Sequence, residues 1–410
     1  MKELSIDKWM LTMQLKEKLQ NRACAMLCSA TDDDLNDNLD YLKHYTGQGK
    51  DYELHCLDCC REHLQNVTPE QFERIEKLAT LGQITGRPET AKAEVTFERQ
   101  EQVLHSEGLL AVTGTSKGWL GITPRKEFVW LGQEPGAALI HCKVDFHKPF
   151  QFQVLGDFAL LVNDFHNKGY VYSVSSGEVV LRFQRGGYHL RHCSFPAALI
   201  SNRNRLCLVH ATDWNMLQVT DLKTLEVLTE RADYQRLDYF HCRLVPSPEQ
   251  SRLAENGWMW HPLGTVRTWD IDPWLSENPY ESDDGESVKE FCHREYVWDT
   301  PLVWLNDQRL AVWGGGVDDK SLFPAIRIFD VSSGREVDWF PGPEVDNQGW
   351  LAFHEVLYAV SPLGGTTIWD IKTGAMLCRL EDFQPTAFHQ GRFLTVTADG
   401  AVETIIQPRV

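Results

Sequence analysis

From about residue 93 onwards, one pattern of short strands recurs roughly every 40–50 residues. Each unit has an apolar strand, a polar turn, a second apolar strand, a loop and a third strand, which often ends in Asp before a Ser/Thr-Gly turn. The stretches FDVSSGREVDWF (329–340) and WDIKTGAMLCRL (369–380) are examples, and each runs into a fourth strand. Seven units follow one another. Repeats of this length are typical of four-stranded antiparallel blades, so the sequence predicts a mainly β fold, a seven-bladed β-propeller.

The last unit, residues 384–408, stops after three strands. The stretch AEVTFERQ (93–100) stands just before the first unit and has no other assigned place. If it pairs with the last unit, both ends of the chain lie in one blade and the ring has no open sheet edge. We therefore predict a propeller over residues 93–410, with residues 93–100 as the closing strand of the last blade.

The first 88 residues have a different period, because their apolar residues recur at helical spacing. The clearest helix is TPEQFERIEKLATLG (68–82). Thr68 is a suitable N-cap, Pro69 occupies the first helical position, and Gly82 provides a C-terminal stop. The sequence therefore predicts an α-helical N-terminal region over residues 1–88.

Four of the predicted third strands end in a residue pair whose second member is Asp. The pairs are Thr220-Asp221, Trp269-Asp270, Phe329-Asp330 and Trp369-Asp370. In these residues the chain resembles the WD-repeat superfamily of seven-bladed propellers, over about residues 93–410. It departs from that family because no unit has the Gly-His dipeptide before its first strand. The resemblance implies a non-enzymatic interaction platform, and it assigns no partner.

In a propeller, the loops between second and third strands and the connections between blades lie on one face. Five segments of this face are rich in Tyr, Trp, His and Arg, which are common anchors of protein interfaces. They are residues 163–169, 184–193, 210–215, 231–242 and 293–300. Our candidate partner contacts are His166, Tyr188, His189, Arg191, Trp214, Tyr234, Arg236, Tyr239, Tyr296 and Trp298. The alternative is that these side chains cap the blades and pack on one another.

The composition narrows the class of partner. The formal net charge of −18 argues against nucleic acid, which is bound by clustered Lys and Arg. It suits a basic protein partner, or simply a soluble surface. No apolar run is long enough to span a bilayer, and the N-terminus mixes acids and bases unlike a signal peptide. We therefore expect a cytoplasmic protein that binds neither membranes nor nucleic acid.

Catalytic motifs are missing from the sequence: there is no Gly-x-Ser-x-Gly elbow, no phosphate-binding glycine loop and no His-Glu-x-x-His. We therefore expect a protein-protein interaction scaffold or adaptor rather than an enzyme, and predict no catalytic residue. Propeller enzymes assemble their residues from several blades without a local motif. An enzyme or small-ligand binder that uses the central channel therefore stays open as an alternative.

A third class of function depends on a cluster of cysteines in the predicted helical region. Residues 55–63 read HCLDCCREH, and residues four apart share one face of a helix. Cys24 and Cys28, together with either Cys56 and Cys60 or Cys59 and His63, have ligand types that suit a structural zinc ion. The alternatives are buried thiols that act as small apolar side chains, and a thiol redox switch. The chain therefore has either no cofactor or one zinc ion, and a zinc- or redox-responsive regulator is a further alternative.

Two other patterns lie in the predicted propeller. Three histidines each end a predicted first strand: His105, His354 and His389. They are either ligands of a metal cluster or, as we favour, turn residues, because His and Asn suit a tight turn between strands. Asn202 and Asn306 take the same place in other units. Residues 275–290 carry six acids and one base, and we expect a solvated insertion there, with a docking site for a basic partner as the alternative.

Overall fold

The computed structural model describes most of the predicted propeller. The described residues are 91–93, 95–132, 140–141, 150–231, 237–260, 263–295, 297–314, 325–343, 349–362 and 364–409. The predicted α-helical region 1–88 and its cysteines lie outside them. In the described part the chain forms seven blades of antiparallel strands, so the predicted fold class is confirmed for the propeller. None of the helices described there is long and apolar enough to cross a membrane.

The first described strand, β1, belongs to the last blade, and blades 1 and 2 follow it with four strands each. In both, the strand order in the sheet is the order along the chain. The bounds are β1 (Phe97–His105), β2 (Ala111–Thr115), β3 (Gly118–Ile122), β4 (Glu127–Trp130), β5 (Ile140–His141), β6 (Phe150–Leu155), β7 (Phe158–Asn163), β8 (Lys168–Ser173) and β9 (Val179–Gln184).

Blades 3 and 4 depart from the four-strand plan. Blade 3 has three strands, and a single bridge between Thr220 and Val227 marks the place of a fourth. Blade 4 has five, because two short strands, β13 and β14, both pair with β15. The bounds are β10 (Ala197–Asn202), β11 (Arg205–Asp213), β12 (Met216–Asp221), β13 (Tyr239–Phe240), β14 (Leu244–Pro246), β15 (Arg252–Met259), β16 (Leu263–Asp270) and β17 (Lys289–Glu295).

Blades 5 and 6 again contain four strands in chain order, and blade 7 combines three C-terminal strands with β1. The bounds are β18 (Leu302–Asn306), β19 (Arg309–Trp313), β20 (Ala325–Asp330), β21 (Arg335–Pro341), β22 (Trp350–His354), β23 (Val356–Ser361), β24 (Gly365–Asp370), β25 (Ala375–Leu380), β26 (Ala387–His389), β27 (Arg392–Thr397) and β28 (Gly400–Pro408).

Blade 7 closes the ring by pairing β1 with β28, from Phe97 opposite Pro408 to His105 opposite Ala401. This closing strand starts and ends later than the predicted 93–100. Residues 91–93 and 95 instead run beside β25 of blade 6, where Ala93 N and Val95 N donate to the carbonyls of Met376 and Leu377. Residues 102–105, which the sequence pattern assigns to the first blade, therefore belong to blade 7, and blade 1 begins at β2.

Seven of the buried clusters each join two neighbouring blades, and together they run around the whole ring. Leu120 of blade 1 shares a cluster with Leu161 of blade 2, for example, and Trp119 of blade 1 shares another with Leu394 of blade 7. A middle strand therefore has apolar neighbours on both faces. This explains why β7 reads as a nearly continuous apolar run rather than a strict alternation.

The Asp residues that end the third strands build the turns that follow. Asp330 accepts hydrogen bonds from Ser333 N and Oγ, both at 2.8 Å. Asp370 accepts bonds from the backbone N of Lys372 at 3.0 Å and from Thr373 Oγ1 at 2.7 Å. An Asp side chain that bonds the backbone just after it stabilises a tight turn, which is the physical basis of the repeat.

An insertion after β16 packs against blade 3. It contains α1 (Ile271–Ser276) and α2 (Glu281–Asp284), and the α1 residue Trp274 packs into the core shared by blades 3 and 4. Asp283 is buried and pairs with the buried Arg231 at 2.6 Å, while Glu281 accepts a bond from Ser287 N at 2.8 Å. The expectation of a solvated acidic insertion is therefore wrong for Glu281 and Asp283, whereas the other four acids of the segment are exposed: Glu277, Asp284, Glu286 and Glu290.

The three histidines of the proposed metal cluster do not come together. His105 ends β1, an outer strand, whereas His354 and His389 end the inner strands of blades 6 and 7. Among the described residues, no three His, Cys, Asp or Glu side chains are grouped to hold a metal ion. The metal interpretation is wrong because the sequence pattern counts His105 as the end of an inner strand of blade 1, whereas His105 belongs to the outer strand of blade 7. Asn306 shows the favoured turn role, since its Oδ1 accepts a bond from Gln308 N at 2.9 Å.

Candidate functional site

Aromatic side chains from blades 3 and 4, and from the connections before and after them, meet on the face that the loop pattern predicts. They come from the connection after β9, the loop after β11, the connection into blade 4, the end of β15 and the connection after β17. We call this group the aromatic patch. It consists of Tyr188, His189, His192, Trp214, Phe240, Trp258, Trp260 and Trp298.

The centre of the aromatic patch is a stack of rings. Phe240 lies on Trp258 with ring centroids 3.9 Å apart and planes 8° apart, and Trp258 lies on Trp298 at 5.0 Å and 22°. Trp214 packs against Phe240 at 4.2 Å. Phe240 and Trp258 are buried, so the stack forms a dense base beneath the outer rings.

Two rings at the rim of this stack remain exposed. Tyr188 is 49% exposed and Trp260 is 39% exposed, although both rings contact Phe240. Phe165, on the neighbouring loop of blade 2, is 40% exposed. Among the described residues, three of the six large exposed apolar side chains are therefore on this face. A grouped set of exposed rings is typical of interaction surfaces.

The loop that carries Tyr188 and His189 is held by a buried arginine. Arg185 Nε donates to the carbonyl of His166 at 2.9 Å, and Nη1 donates to that of Ser194 at 3.1 Å. Its Nη2 donates to the carbonyls of Leu190 at 3.3 Å and Cys193 at 3.2 Å. One guanidinium thus satisfies four carbonyls that have no strand partner, which orders the loop from both ends.

Hydrogen bonds also tie this loop to the connection between blades 4 and 5. Ser194 donates to the Asp299 carboxylate through its backbone N, at 2.8 Å, and through its hydroxyl. Trp298 Nε1 donates to the carbonyl of His192 at 2.7 Å. The aromatic patch is therefore assembled by contacts across blades and does not depend on one loop alone.

A buried polar layer lies beneath the rings. His241 Nδ1 is 2.9 Å from Glu255 Oε1, and both side chains are almost completely buried. Cys193 and Cys242 are free thiols in the same cluster as Phe240 and Trp258. Burial raises the pKa of Cys242, whereas the hydrogen bond from Cys242 lowers the pKa of Cys193. These groups have internal partners and stabilise the base of the patch.

His189 and His192 form a close pair at the rim. Their Nδ1 atoms are 3.3 Å apart, and their ring centroids are 4.9 Å apart. His189 has a left-handed backbone with φ of 50°, just before a single 3₁₀ turn at Leu190–His192. Burial, and then the charge of His192, lower the pKa of His189, which keeps its imidazole neutral at neutral pH.

The structure brings together four of the ten predicted contacts: Tyr188, His189, Trp214 and Trp298 belong to the patch. His166 and Arg191 are exposed beside it. Tyr239 is buried, its hydroxyl donates to the carbonyl of Thr265 at 3.2 Å, and burial raises its pKa, so it supports the core instead of facing a partner. The remaining predicted site residues lie outside the described residues. They are Tyr234, Arg236 and Tyr296, and the metal candidates Cys24, Cys28, Cys56, Cys59, Cys60 and His63.

Four patch residues were not predicted: His192, Phe240, Trp258 and Trp260. The two tryptophans are separated by one residue in the stretch NGWMWHP (256–262). Residues two apart in a strand share a face, so this spacing was a usable signal. Phe240 and His192 lie inside segments that the sequence pattern already places on this face, and only the tertiary contacts distinguish them from their neighbours.

Comparisons with known proteins leave the family open. No protein-family model matches the chain, and no curated protein matches it. Among solved structures, the chain is similar to the crystal structure of the computationally designed Ika8 protein, with 13% sequence identity and a TM-score of 0.43. The match covers 74% of this chain and 97% of that chain. A likeness at this level assigns no function, and the blade topology described above defines the fold.

Proposed function

We propose that this protein is a non-enzymatic scaffold that binds a protein partner through the aromatic patch. The observation that carries the proposal is the continuous set of rings from blades 3 and 4 and the connections on either side of them, with Tyr188 and Trp260 exposed on a buried stack. A solitary exposed ring is common on protein surfaces, whereas a supported group of rings is not.

The aromatic patch is already held in one arrangement before a partner binds, which favours binding. Arg185 and Asp299 hold the loops that carry the rings, so few side chains need to lose freedom when a partner docks. Exposed aromatic anchors that rest on a packed surface commonly contribute about 2 kcal/mol or more each when they become binding hot spots. Tyr188 and Trp260 are therefore the proposed principal contacts.

The partner that fits this chain is basic. The net charge of −18 attracts a cationic protein, and aromatic faces bind Arg and Lys side chains through cation–π contacts. We therefore expect a partner surface that presents Arg or Lys among apolar side chains. Because exposed charges are screened by salt, the association rate should fall as ionic strength rises.

The test compares two double variants. Tyr188→Ala/Trp260→Ala removes the exposed rings, whereas Val103→Ala/Val337→Ala removes apolar side chains that are 69% and 47% exposed elsewhere. Partners are captured from native lysate with the wild-type protein, purified, and titrated by calorimetry against both variants. We expect the ring variant to lose at least about 30-fold in affinity and the control to match the wild type. Equal affinity of the ring variant, with an unchanged melting curve, would exclude the aromatic patch as the binding surface.

A further inference from the structure

Two histidines at the rim of the aromatic patch, His189 and His192, bring two ring nitrogens close together, and the proposed protein-binding function does not depend on this pair. His189 immediately precedes the 3₁₀ turn Leu190–His192, and His192 ends it, so the turn separates the two histidines by three positions. Their Nδ1 atoms face each other at 3.3 Å. This is a hydrogen-bonding distance, at which one imidazole N–H donates to the nitrogen of the other ring, and a metal ion that binds both atoms would take the place of that proton.

This separation is close to the distance between two ligand atoms of a tetrahedral metal ion. Zinc binds imidazole nitrogen at about 2.0–2.1 Å, and two ligands at the tetrahedral angle are then about 3.3–3.4 Å apart. The observed Nδ1–Nδ1 distance of 3.3 Å agrees with this separation. Either ring nitrogen of a neutral imidazole serves as a metal ligand, so coordination through Nδ1 is chemically ordinary.

The turn that carries the pair is held in place. His192 N donates to the carbonyl of His189 at 3.0 Å, and the carbonyl of His192 accepts a bond from Trp298 Nε1 at 2.7 Å. Arg185 holds the carbonyl of Leu190 between them. His189 also keeps a left-handed backbone that non-glycine residues seldom adopt, and such conformations persist where the surroundings enforce them.

The site is open to solvent. His192 is exposed and His189 is partly buried among Tyr188, Phe240 and Trp260. The nearest cation along the chain is Arg191, whose exposed side chain is screened by water.

We propose that His189 and His192 form a two-imidazole site for a divalent transition-metal ion such as Zn²⁺. Within the described residues no third His, Cys, Asp or Glu joins the group, so the other coordination positions are open to water or to a donor side chain of a bound protein. The site differs in kind from the zinc site predicted in the cysteine-rich segment, whose ligands would be mainly thiolates. Metal binding is measured without a partner, so its failure leaves the proposed protein-binding function untouched.

The experiment titrates the full chain with Zn²⁺ and with Co²⁺ alone. His189→Asn keeps a side chain that tolerates the left-handed backbone, and His192→Gln changes an exposed residue. His354→Ala, an exposed histidine on the opposite face, is the matched control. Melting curves in chelator establish that each variant is folded. Because thiolate ligands give cobalt intense near-ultraviolet bands that imidazoles lack, the Co²⁺ spectrum separates this site from any cysteine site.

We expect one equivalent of metal with nitrogen and oxygen ligation in the wild type and in His354→Ala. Each of the other two variants should lose that equivalent or bind it at least about tenfold more weakly. Unchanged stoichiometry and affinity in folded His192→Gln would overturn the proposal. An equal loss in His354→Ala would also overturn it, because that result shows only adventitious binding by surface histidines.

Discussion

Phe240 lies flat against Trp258, with ring centroids 3.9 Å apart and planes 8° apart, and both side chains are buried. Phe240 belongs to β13 and Trp258 to β15, and the two residues are opposite each other in the register of blade 4. The exposed rings of Tyr188 and Trp260 both contact Phe240. The surface proposed to bind a partner therefore rests on a pair of core residues.

Truncation of this stack should destabilise the propeller. Phe240→Ala leaves a cavity beneath the patch, and we expect a loss of about 3–5 kcal/mol in the free energy of unfolding, measured with denaturant. Trp260→Ala removes a ring that is 39% exposed and should cost less than half as much. Equal losses in the two variants would contradict the assignment of Phe240 to the base and Trp260 to the rim.

The buried ion pair between Arg231 and Asp283 provides a second prediction. Its atoms are 2.6 Å apart, and the two side chains are 1% and 4% exposed. Asp283→Ala leaves a buried guanidinium without its carboxylate and should cost about 3–5 kcal/mol of unfolding free energy. The double variant Arg231→Met/Asp283→Leu buries no charge, so its loss should be clearly smaller. A double variant less stable than Asp283→Ala would show that the insertion is anchored in another way.

The closing strand can be tested through its backbone. Gln100 and Glu101 lie in the middle of β1, opposite Ile405 and Thr404 of β28. Because alternate residues of an antiparallel strand bond the same neighbour, Gln100→Pro/Glu101→Pro must remove at least one ladder hydrogen bond. We expect a loss of about 3 kcal/mol or more and a broadened thermal transition. The control Gln100→Ala/Glu101→Ala keeps the backbone donors and should melt close to the wild type, and a proline variant that does the same would contradict closure through β1.

The burial of His210 predicts how the free energy of unfolding depends on pH. It is 4% exposed, its Nδ1 donates to the carbonyl of Ala211 at 3.0 Å, and burial lowers its pKa to about 4 from an ordinary value of 6.5. Above pH 6.5 the imidazole is neutral in both the folded and the unfolded chain. Between pH 6.5 and 4 only the unfolded chain takes up the proton, so the free energy of unfolding falls with falling pH, by roughly 3 kcal/mol in total.

The control for this prediction is His210→Gln, which keeps an N–H donor and does not titrate. Urea unfolding of both proteins is measured across the same pH range, so that carboxylates titrate alike in each. The fall in unfolding free energy below pH 6.5 should be smaller in the variant. Parallel curves would show that His210 does not take part in acid unfolding.

The number of blades and the turns between strands were predictable because both depend on neighbouring residues. Asp330 and Asp370 bond the backbone two or three positions further on, so the turn recurs wherever the short motif recurs. The assignment of strands to blades was less secure where the two ends of the propeller meet in blade 7. Residues 102–105 have the same pattern as an inner strand, and only pairing with β28 shows that they belong to an outer one.

The candidate site was predictable as a face but not as a set of contacts. Propeller topology placed Tyr188, Trp214 and Trp298 on one side, and the structure brings them into one cluster. Tyr239 and Phe240 are adjacent in one strand and point in opposite directions, so one supports the core of the blade and the other supports the patch. The sequence pattern favoured Tyr239, because the direction of each side chain depends on the register with β15.

By itself, the sequence determined the repeat and the face that carries the aromatic loops, because these follow from period-two alternation and short turn motifs. Only the tertiary structure decided which rings are buried, which are exposed and which histidines meet. Ser194 and Asp299, 105 residues apart, are joined by a hydrogen bond that helps to hold the patch. Contacts of this kind join segments of different blades, and their geometry depends on how the whole ring packs, which no local pattern records.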